Sequence, residues 1–466
     1  MRLPNRPAGR REDIASDPGS EASVQLAQGG AGRVWVIHPA AEDTAAQPPE
    51  VPELYGRAMQ ALAQRPDEAV ALSYDLPFCA AHCLCCDREI LAAQPPDVID
   101  DYVDGLIAET QAIAGRIGRQ RDVLQLHLGG GSASELDDAQ LSRLLEAVRD
   151  AWRVPDDAEM SIDCDPRRVG WMHLQLLHSL GFSQITYGVL DLDAHVQRAI
   201  GRRQSAELID DACEVARSCG IEYVNLSLLI GLPHQSEESW RATLQRVVAM
   251  APDRLTLGRY RHRPRMAPGQ YAIDPDALPD EFECRRLLAM AGELLGEAGY
   301  RWIGSDHFVL ENDPLAVAQD QRRLRHGPVS YTGTPYTPVL AHGVHAVGEI
   351  DGHVFHNTPS LAAWQQAVRN GLPAVAAAQP LTRCEQLRRN ARQHLLCYLE
   401  LPLQVVSGGL EPAYERLAAL EQDGLVQRLD GRLVVTEAGR LALPMLCEEL
   451  DRGRVACVDG ISELPS

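Results

Sequence analysis

Beyond residue 69 the apolar positions fall into a rhythm. A short hydrophobic block is followed each time by a longer stretch in which apolar residues return every third or fourth position. The pairs are 69–74 with 97–117, 123–128 with 137–152, 160–163 with 171–180, 184–189 with 206–219, 223–229 with 236–250, and 254–260 with 278–298. Blocks of the first kind read as strands and stretches of the second as amphipathic helices, so the pattern predicts βαβ units and a parallel sheet. Six such units build a complete or partial (β/α) barrel, whose chemistry sits at the carboxyl ends of its strands. Residues 51–66 predict a short helix before the first strand. Residues 1–50 are rich in Ala, Pro, Gly and charge, with Val34-Trp35-Val36-Ile37 the one apolar knot, and read as a flexible arm.

The rhythm stops near residue 310. Residues 311–358 read as an irregular connecting segment, and 359–466 as a C-terminal, mainly helical domain. Its helices are expected at 360–370, 383–399, 411–424 and 437–450, with a hairpin at 425–435 around Asp430-Gly431, an order that is winged-helix-like. The barrel itself is assigned to 51–310.

Composition narrows the function. The 466 residues hold 45% hydrophobic side chains, enough for a large core. No apolar run approaches the roughly 20 residues of a membrane span, and the Arg-bearing N-terminus has no apolar region of a secretory signal. A net charge of −21 argues against nucleic acid as a partner. All 44 basic residues are Arg, which excludes Schiff-base lysines and the P-loop lysine. Twelve cysteines without regular disulfide spacing point to a reducing cytoplasm.

Four of those cysteines lie within eight residues, directly after the first predicted strand: Cys79, Cys83, Cys85 and Cys86. Cys79, Cys83 and Cys86 have the spacing Cys-x3-Cys-x2-Cys. Three thiolates on one loop can each bind one iron of an iron–sulfur cube and leave the fourth iron open to a substrate. Zinc would want a fourth ligand, often a second separated pair, and no such partner lies downstream. The loop resembles the cluster loop of the radical S-adenosylmethionine (SAM) enzymes, which implies a [4Fe–4S] cluster whose open iron chelates SAM. Gly129-Gly130-Gly131-Ser132 closes the second predicted strand, and glycines there let a backbone approach a ligand with exposed N–H groups able to bind a carboxylate.

The motif order resembles one family more closely. Leu76-Pro77-Phe78-Cys79, His127 to Ser132, Ser161 to Pro166, Gly231 to Ser236, Pro252 to Leu255 and Gly304 to Phe308 are similar to the oxygen-independent coproporphyrinogen III oxidases, over roughly residues 50–450. The resemblance implies a radical SAM partial barrel and up to two SAM molecules. It also implies oxidative decarboxylation of two propionates of coproporphyrinogen III to the vinyl groups of protoporphyrinogen IX, a step of haem synthesis. By position, Cys79, Cys83 and Cys86 hold the cluster. Gly130 and Asp163 meet the first SAM, and Gly131, Ser132 and Arg202 the second, with Arg202 pairing a carboxylate. Ser73, Cys85, Leu190, Ser227, Arg261 and Val347 stand at further cofactor-binding positions.

This chain departs from the family at several of these. Ser73 and Asp75 replace a Tyr and a His, Cys85 an aromatic, Arg88 a Cys, Asp163 a Glu, Leu190 a Gln, Ser227 an Asp and Arg261 a small residue. The departures concentrate around the second SAM. They leave open a diverged paralogue acting on another tetrapyrrole, or a haem-binding chaperone of the same fold. Arg259, Arg261, Arg263 and Arg265 alternate, which on a strand would place four guanidinium groups on one side, a reversal of sign fitted to an anionic tetrapyrrole. The expected partners are that substrate and an electron donor such as flavodoxin or ferredoxin, with no nucleic acid and no membrane, in a monomer.

Overall fold

The computed structural model describes residues 50–327, 330–407 and 409–452, so the arm at 1–49 and its apolar knot lie outside the described residues. Helix α1 (Val51–Ala63) leads into strand β1 (Val70–Leu76). The six-unit rhythm follows as α2 (Pro96–Ile117), β2 (Val123–Gly130), α3 (Asp138–Ala151), β3 (Glu159–Cys164), α4 (Trp171–Ser179), β4 (Gln184–Leu190), α5 (Ala206–Ser218), β5 (Tyr223–Ile230), α6 (Glu237–Ala249), β6 (Arg254–Arg259) and α7 (Glu281–Glu297). Local chemistry sets several boundaries. Reciprocal side-chain caps start α3 at Asp137/Gln140, α6 at Ser236/Ser239 and α7 at Asp280/Glu283, each satisfying donors the first turn would otherwise leave bare.

Strands β1 to β6 pair in parallel in chain order. Their side chains alternate between two chemistries. Leu72, Leu126, Leu128, Ile162, Ile185, Leu226 and Leu228 are buried in the core shared with the helices. The intervening positions are polar: His127 Nδ1 and Ser161 Oγ lie 2.9 Å apart, and Asn225 Nδ2 donates to Thr256 Oγ1 at 3.1 Å and Thr186 Oγ1 at 3.3 Å. A strand period of two puts these residues on the face away from the helices, giving the sheet a hydrogen-bonded inner surface.

The reading of 311–358 as irregular is corrected. After β7 (Tyr300–Ile303) and β8 (His307–Leu310), which add antiparallel beyond β6, the chain crosses to the other edge. There β9 (Val339–His342) pairs in parallel with β1, and β10 (Val347–Ile350), β11 (His353–Asn357) and β12 (Val375–Pro380) continue antiparallel. The result is one sheet of twelve strands, in the order β12-β11-β10-β9-β1-β2-β3-β4-β5-β6-β8-β7. Strands β9 and β10 have four residues each, too few to show a period, and their extended form is set by pairing to neighbours distant in sequence. Helix α8 (Leu361–Arg369) sits between β11 and β12, and the predicted boundary near 358 therefore falls inside the sheet.

The remaining chain holds α9 (Arg383–Tyr398), β13 (Glu400–Pro402), α10 (Glu411–Ala419), β14 (Val426–Leu429) and β15 (Arg432–Val435). The last two close a hairpin at Asp430 and Gly431, both at positive φ, as the Asp-Gly pair predicts. The expected helix 437–450 is two short helices, Glu437–Leu441 and α11 (Leu443–Glu449), because Pro444 cannot continue the first and instead starts the second.

Candidate active site

The cysteine loop leaves β1 at its carboxyl end through Pro77. Phe78 is buried and packs edge-on against Tyr102 at 5.1 Å, which anchors the loop in the core. Phe78–Cys79 pair with Leu91–Ala92, and the Ala93 N–H donates to Cys79 O at 2.9 Å, so both ends of the loop are stapled. Inside it, the Cys86 N–H donates to Cys83 O at 3.1 Å, and the Leu84 N–H reaches Ile200 O at 2.9 Å. Cys79, Cys83 and Cys86 are all half-buried and near enough to feel one another's charge. Burial first, and then the neighbouring thiols, push Cys79 up to about 12, so its free thiol is neutral and iron would displace its proton on binding. Among the described residues no three His, Cys, Asp or Glu side chains close around a single ion. Three thiols on one loop fit a cluster in which each binds a different iron.

Cys85 differs from its three neighbours. It is 6% exposed and packs with Val196, Ile200, Leu232, Tyr260 and Ile273. Burial pushes its thiol up to about 12, and its carbonyl accepts from Gln270 Nε2 at 3.3 Å. It acts as a small apolar side chain that fastens the loop to the segment after β6.

Arginines back the loop. Arg202 Nη2 donates to Gly188 O at 2.6 Å, Nη1 lies 3.6 Å from Cys83 Sγ, and Nη2 lies 3.5 Å from Asp165. Its Nε is buried without a partner among the described residues. Arg167 forks onto Asp165 through Nε at 2.9 Å and Nη2 at 2.5 Å, and it feels the charge of Cys83 and Cys79. Burial would raise the Asp165 carboxyl, but the Arg167 bonds and the Arg202 charge outweigh it and hold the group below its usual range. Two guanidinium groups beside three cysteines suit the negative charge that a thiolate-bound cluster would bring. The residues present therefore fit the cluster.

The glycine turn seals the other side. The Gly131 N–H donates to Leu76 O and the Ser132 N–H to Phe78 O, both at 2.7 Å. Ser132 Oγ lies 2.7 Å from Ser134 Oγ and accepts from the Asp165 N–H at 2.9 Å. The expectation of free N–H groups waiting for a carboxylate is thus corrected at Gly131 and Ser132: both donors are spent on the backbone just before the first cysteine. A Cβ at Gly131 would lie 2.4 Å from Phe78 O, so only glycine allows this approach.

Gly130 has φ +98, and a Cβ there would lie 2.6 Å from Asp75 Oδ1. Asp75 itself is raised to about 6 by burial, with Arg88 at 3.7 Å pulling the other way. Asp163 Oδ2 lies 3.6 Å from His127 Nε2, and a Cβ on Gly129 would meet both groups. Two carboxylates, an imidazole and the bare Cα of Gly130 thus share the carboxyl ends of β1, β2 and β3. Such a set can take an ammonium group and hydroxyls.

The other expected positions scatter. Ser73 lies on β1 and Ser227 on β5, both half-buried, with Ser227 in register with Gly188 and Thr256. Leu190 ends β4 at φ +66 and packs on the apolar group around Cys85. Val347 opens β10, two strands from β1 on the side opposite β2. The arginine row is corrected. Strand β6 ends at Arg259, so alternation beyond it carries no common face. Arg259 pairs with Glu281 at 3.0 Å and Arg265 is exposed, while Arg261 and Arg263 are half-buried. Sequence reasoning gave no role to Asp165, Arg167 or Gln270. Asp165 lay inside the Ser161–Pro166 motif, but an acidic residue there carries no sign of which cation it will meet.

The chain matches the model of the Radical SAM superfamily over residues 74–247. It is 34% identical to the oxygen-independent coproporphyrinogen III oxidase of Salmonella typhimurium, over 84% of this chain and 87% of that protein. It is 32% identical to the enzyme of the same name from Pseudomonas aeruginosa, over 82% and 85%. Its fold superimposes with a TM-score of 0.83 at 30% identity on the coproporphyrinogen III oxidase of Escherichia coli, described as a radical SAM enzyme, covering 92% of this chain and 98% of that one.

Proposed function

The chain belongs to the family of oxygen-independent coproporphyrinogen III oxidases, radical SAM enzymes with a [4Fe–4S] cluster and SAM as cofactors, and we propose that it carries out that family's reaction through the residues described above. The observation that carries the reading is the loop at the end of β1. Its three half-buried cysteines are fixed at both ends by backbone bonds and backed by Arg202 and Arg167.

Cys79, Cys83 and Cys86 would hold the cluster, which with SAM supplies the 5′-deoxyadenosyl radical that takes a hydrogen from a propionate β-carbon. Loss of CO2, with transfer of one electron to an external one-electron acceptor, would then leave a vinyl group. Gly130 would give the first SAM room for close approach, Asp75 would face its ammonium, and Asp163 its ribose hydroxyls. Arg202 would neutralise charge on the Cys83 side. Of the positions expected at a second SAM, Leu190, Ser227 and Arg261 would face it from β4, β5 and the segment after β6. Leu190 there offers packing where a polar side chain would offer hydrogen bonds. The electrons would come from a flavodoxin- or ferredoxin-type donor. The C-terminal elements from α9 to α11 would cover the substrate.

Among the described residues no helix is long and apolar enough to cross a membrane. The decisive experiment is anaerobic reconstitution of the cluster, followed by an assay for deoxyadenosine with and without coproporphyrinogen III. Deoxyadenosine with a decarboxylated tetrapyrrole supports the reading. Tetrapyrrole binding without deoxyadenosine would overturn it in favour of a chaperone.

A further inference from the structure

The segment after β6 brings two arginines together in an unusual way. Tyr260 is held by its N–H on Ile230 O at 2.8 Å and packs beside Cys85. The Arg263 N–H donates to Gln270 Oε1 at 2.5 Å, and Gln270 Nε2 donates to Cys85 O at 3.3 Å. A Cβ on Gly269 would meet the His82 ring at 2.7 Å. Residues 260–270 therefore lie against the cysteine loop, and Arg261 and Arg263 are fixed beside it.

Each of these side chains is half-buried as a whole, while Nη1 of Arg261 and Nη2 of Arg263 are sealed from solvent and bond to nothing among the described residues. The two cations face each other's charge. Burial, and then Arg263, pull Arg261 down to about 10, while Asp87 on the cysteine loop and Glu448 on α11 act the other way. Neither acid forms an ion pair with Arg261 or Arg263 among the described residues. A lone buried donor is costly, and two like charges close to each other without an ion-paired acid cost more. Arg259 shows the alternative, since it meets Glu281 at 3.0 Å. A chain with 65 acidic residues could have supplied a partner to the inner two.

We propose that Arg261 and Arg263 form a carboxylate clamp beside the cysteine loop, contributed to the substrate face by residues 260–270. Paired guanidinium groups bind a carboxylate with charge-assisted, directional bonds that no single arginine matches. The inference rests on the reading given under Proposed function for its ligand. Two carboxylates come within that reading, a propionate of the tetrapyrrole and the carboxylate of a SAM molecule, and the test separates them.

The holoenzyme is reconstituted anaerobically as wild type, Arg261→Gln/Arg263→Gln and Arg261→Lys/Arg263→Lys. Iron content and absorbance confirm equal cluster loading, since no arginine ligates iron. Dissociation constants are measured by fluorescence quenching for coproporphyrin III, an air-stable tetracarboxylate probe, and by equilibrium dialysis for SAM. The Gln pair should weaken one of the two ligands by about tenfold to a hundredfold per arginine, and the Lys pair should recover much of that loss. Weaker coproporphyrin binding assigns the clamp to a propionate, and weaker SAM binding to the SAM carboxylate. Unchanged affinity for both ligands, or equal losses in the Gln and Lys pairs, would overturn the clamp. Failure of the wild type to bind coproporphyrin, with SAM binding still dependent on the pair, would overturn the substrate reading and leave the clamp.

Discussion

Gly130→Ala puts the site's geometry to a strict test, because the added methyl group meets the Asp75 carboxylate. Its Cβ would lie 2.6 Å from Asp75 Oδ1, 2.7 Å from Cγ and 2.8 Å from Oδ2. Ordinary contact begins near 3.4 Å, so the carboxylate must retreat by roughly 0.8 Å. Tyr102 holds only the Asp75 backbone, donating to its carbonyl at 2.8 Å, while the carboxylate itself has Arg88 at 3.7 Å. The backbone adds a second cost, since φ is +98 and an L-residue there loses about 1–2 kcal/mol. Overpacking adds about 1–3 kcal/mol, for a total loss of about 2–5 kcal/mol. Urea unfolding of the cluster-loaded protein measures that loss. The reduced cluster's EPR signal, titrated with SAM, should show affinity lowered at least about tenfold, because the methyl group fills the face the ligand would use. Asp75→Ala provides the control. In that background Gly130→Ala should lose only the backbone share, so the two changes couple by about 1–3 kcal/mol. Additivity within about 0.5 kcal/mol, or wild-type SAM binding by Gly130→Ala, would refute the reasoning.

Replacing Cys79, Cys83 or Cys86 singly with Ala should abolish the cluster absorbance near the visible range or leave a labile remnant, whereas Cys85→Ala should keep the cluster and lose about 1–3 kcal/mol of packing on urea unfolding. Asp75 is raised to about 6 by burial, so its carboxylate takes up a proton as pH falls through that value. SAM affinity should weaken below pH 6 in the wild type, and Asp75→Asn should bind weakly at every pH, as isothermal titration would show. Glu109 is buried under donors from Gly343, Asn357 and Trp364, yet burial raises it to about 7. The folded chain then holds a proton that the unfolded chain releases above its ordinary value of 4.5, so this group's stabilisation is full below pH 4.5 and is lost as pH rises through 7. The loss is about 3 kcal/mol, and Glu109→Gln should flatten the difference in unfolding free energy between pH 5.5 and 8; an unchanged pH slope would count against it.

The sequence by itself settled the repeated parts of this protein. Six strand–helix units were legible because each strand and helix is long enough to show its own period. The cysteine loop was legible because the spacing of cysteines is a property of the local chain. The hairpin at Asp430-Gly431 was legible for the same reason, as two residues fix the turn. What only the tertiary structure decided depends on partners far apart in sequence. Strands β9 and β10, of four residues each, are too short to show a period, and β9 to β12 become strands because β1 and then one another offer edges. Gly131 and Ser132 spend their N–H groups on Leu76 and Phe78, which no local pattern announces. The alternation of Arg259 to Arg265 implied one face, but the strand ends at its first member. Arg259 then turns to Glu281, on a helix that begins 22 residues later, and the pair beside the cysteine loop forms no ion pair among the described residues. A charge shows in the sequence, but its counter-ion is a matter of distance, and distance between remote residues exists only once the chain has folded.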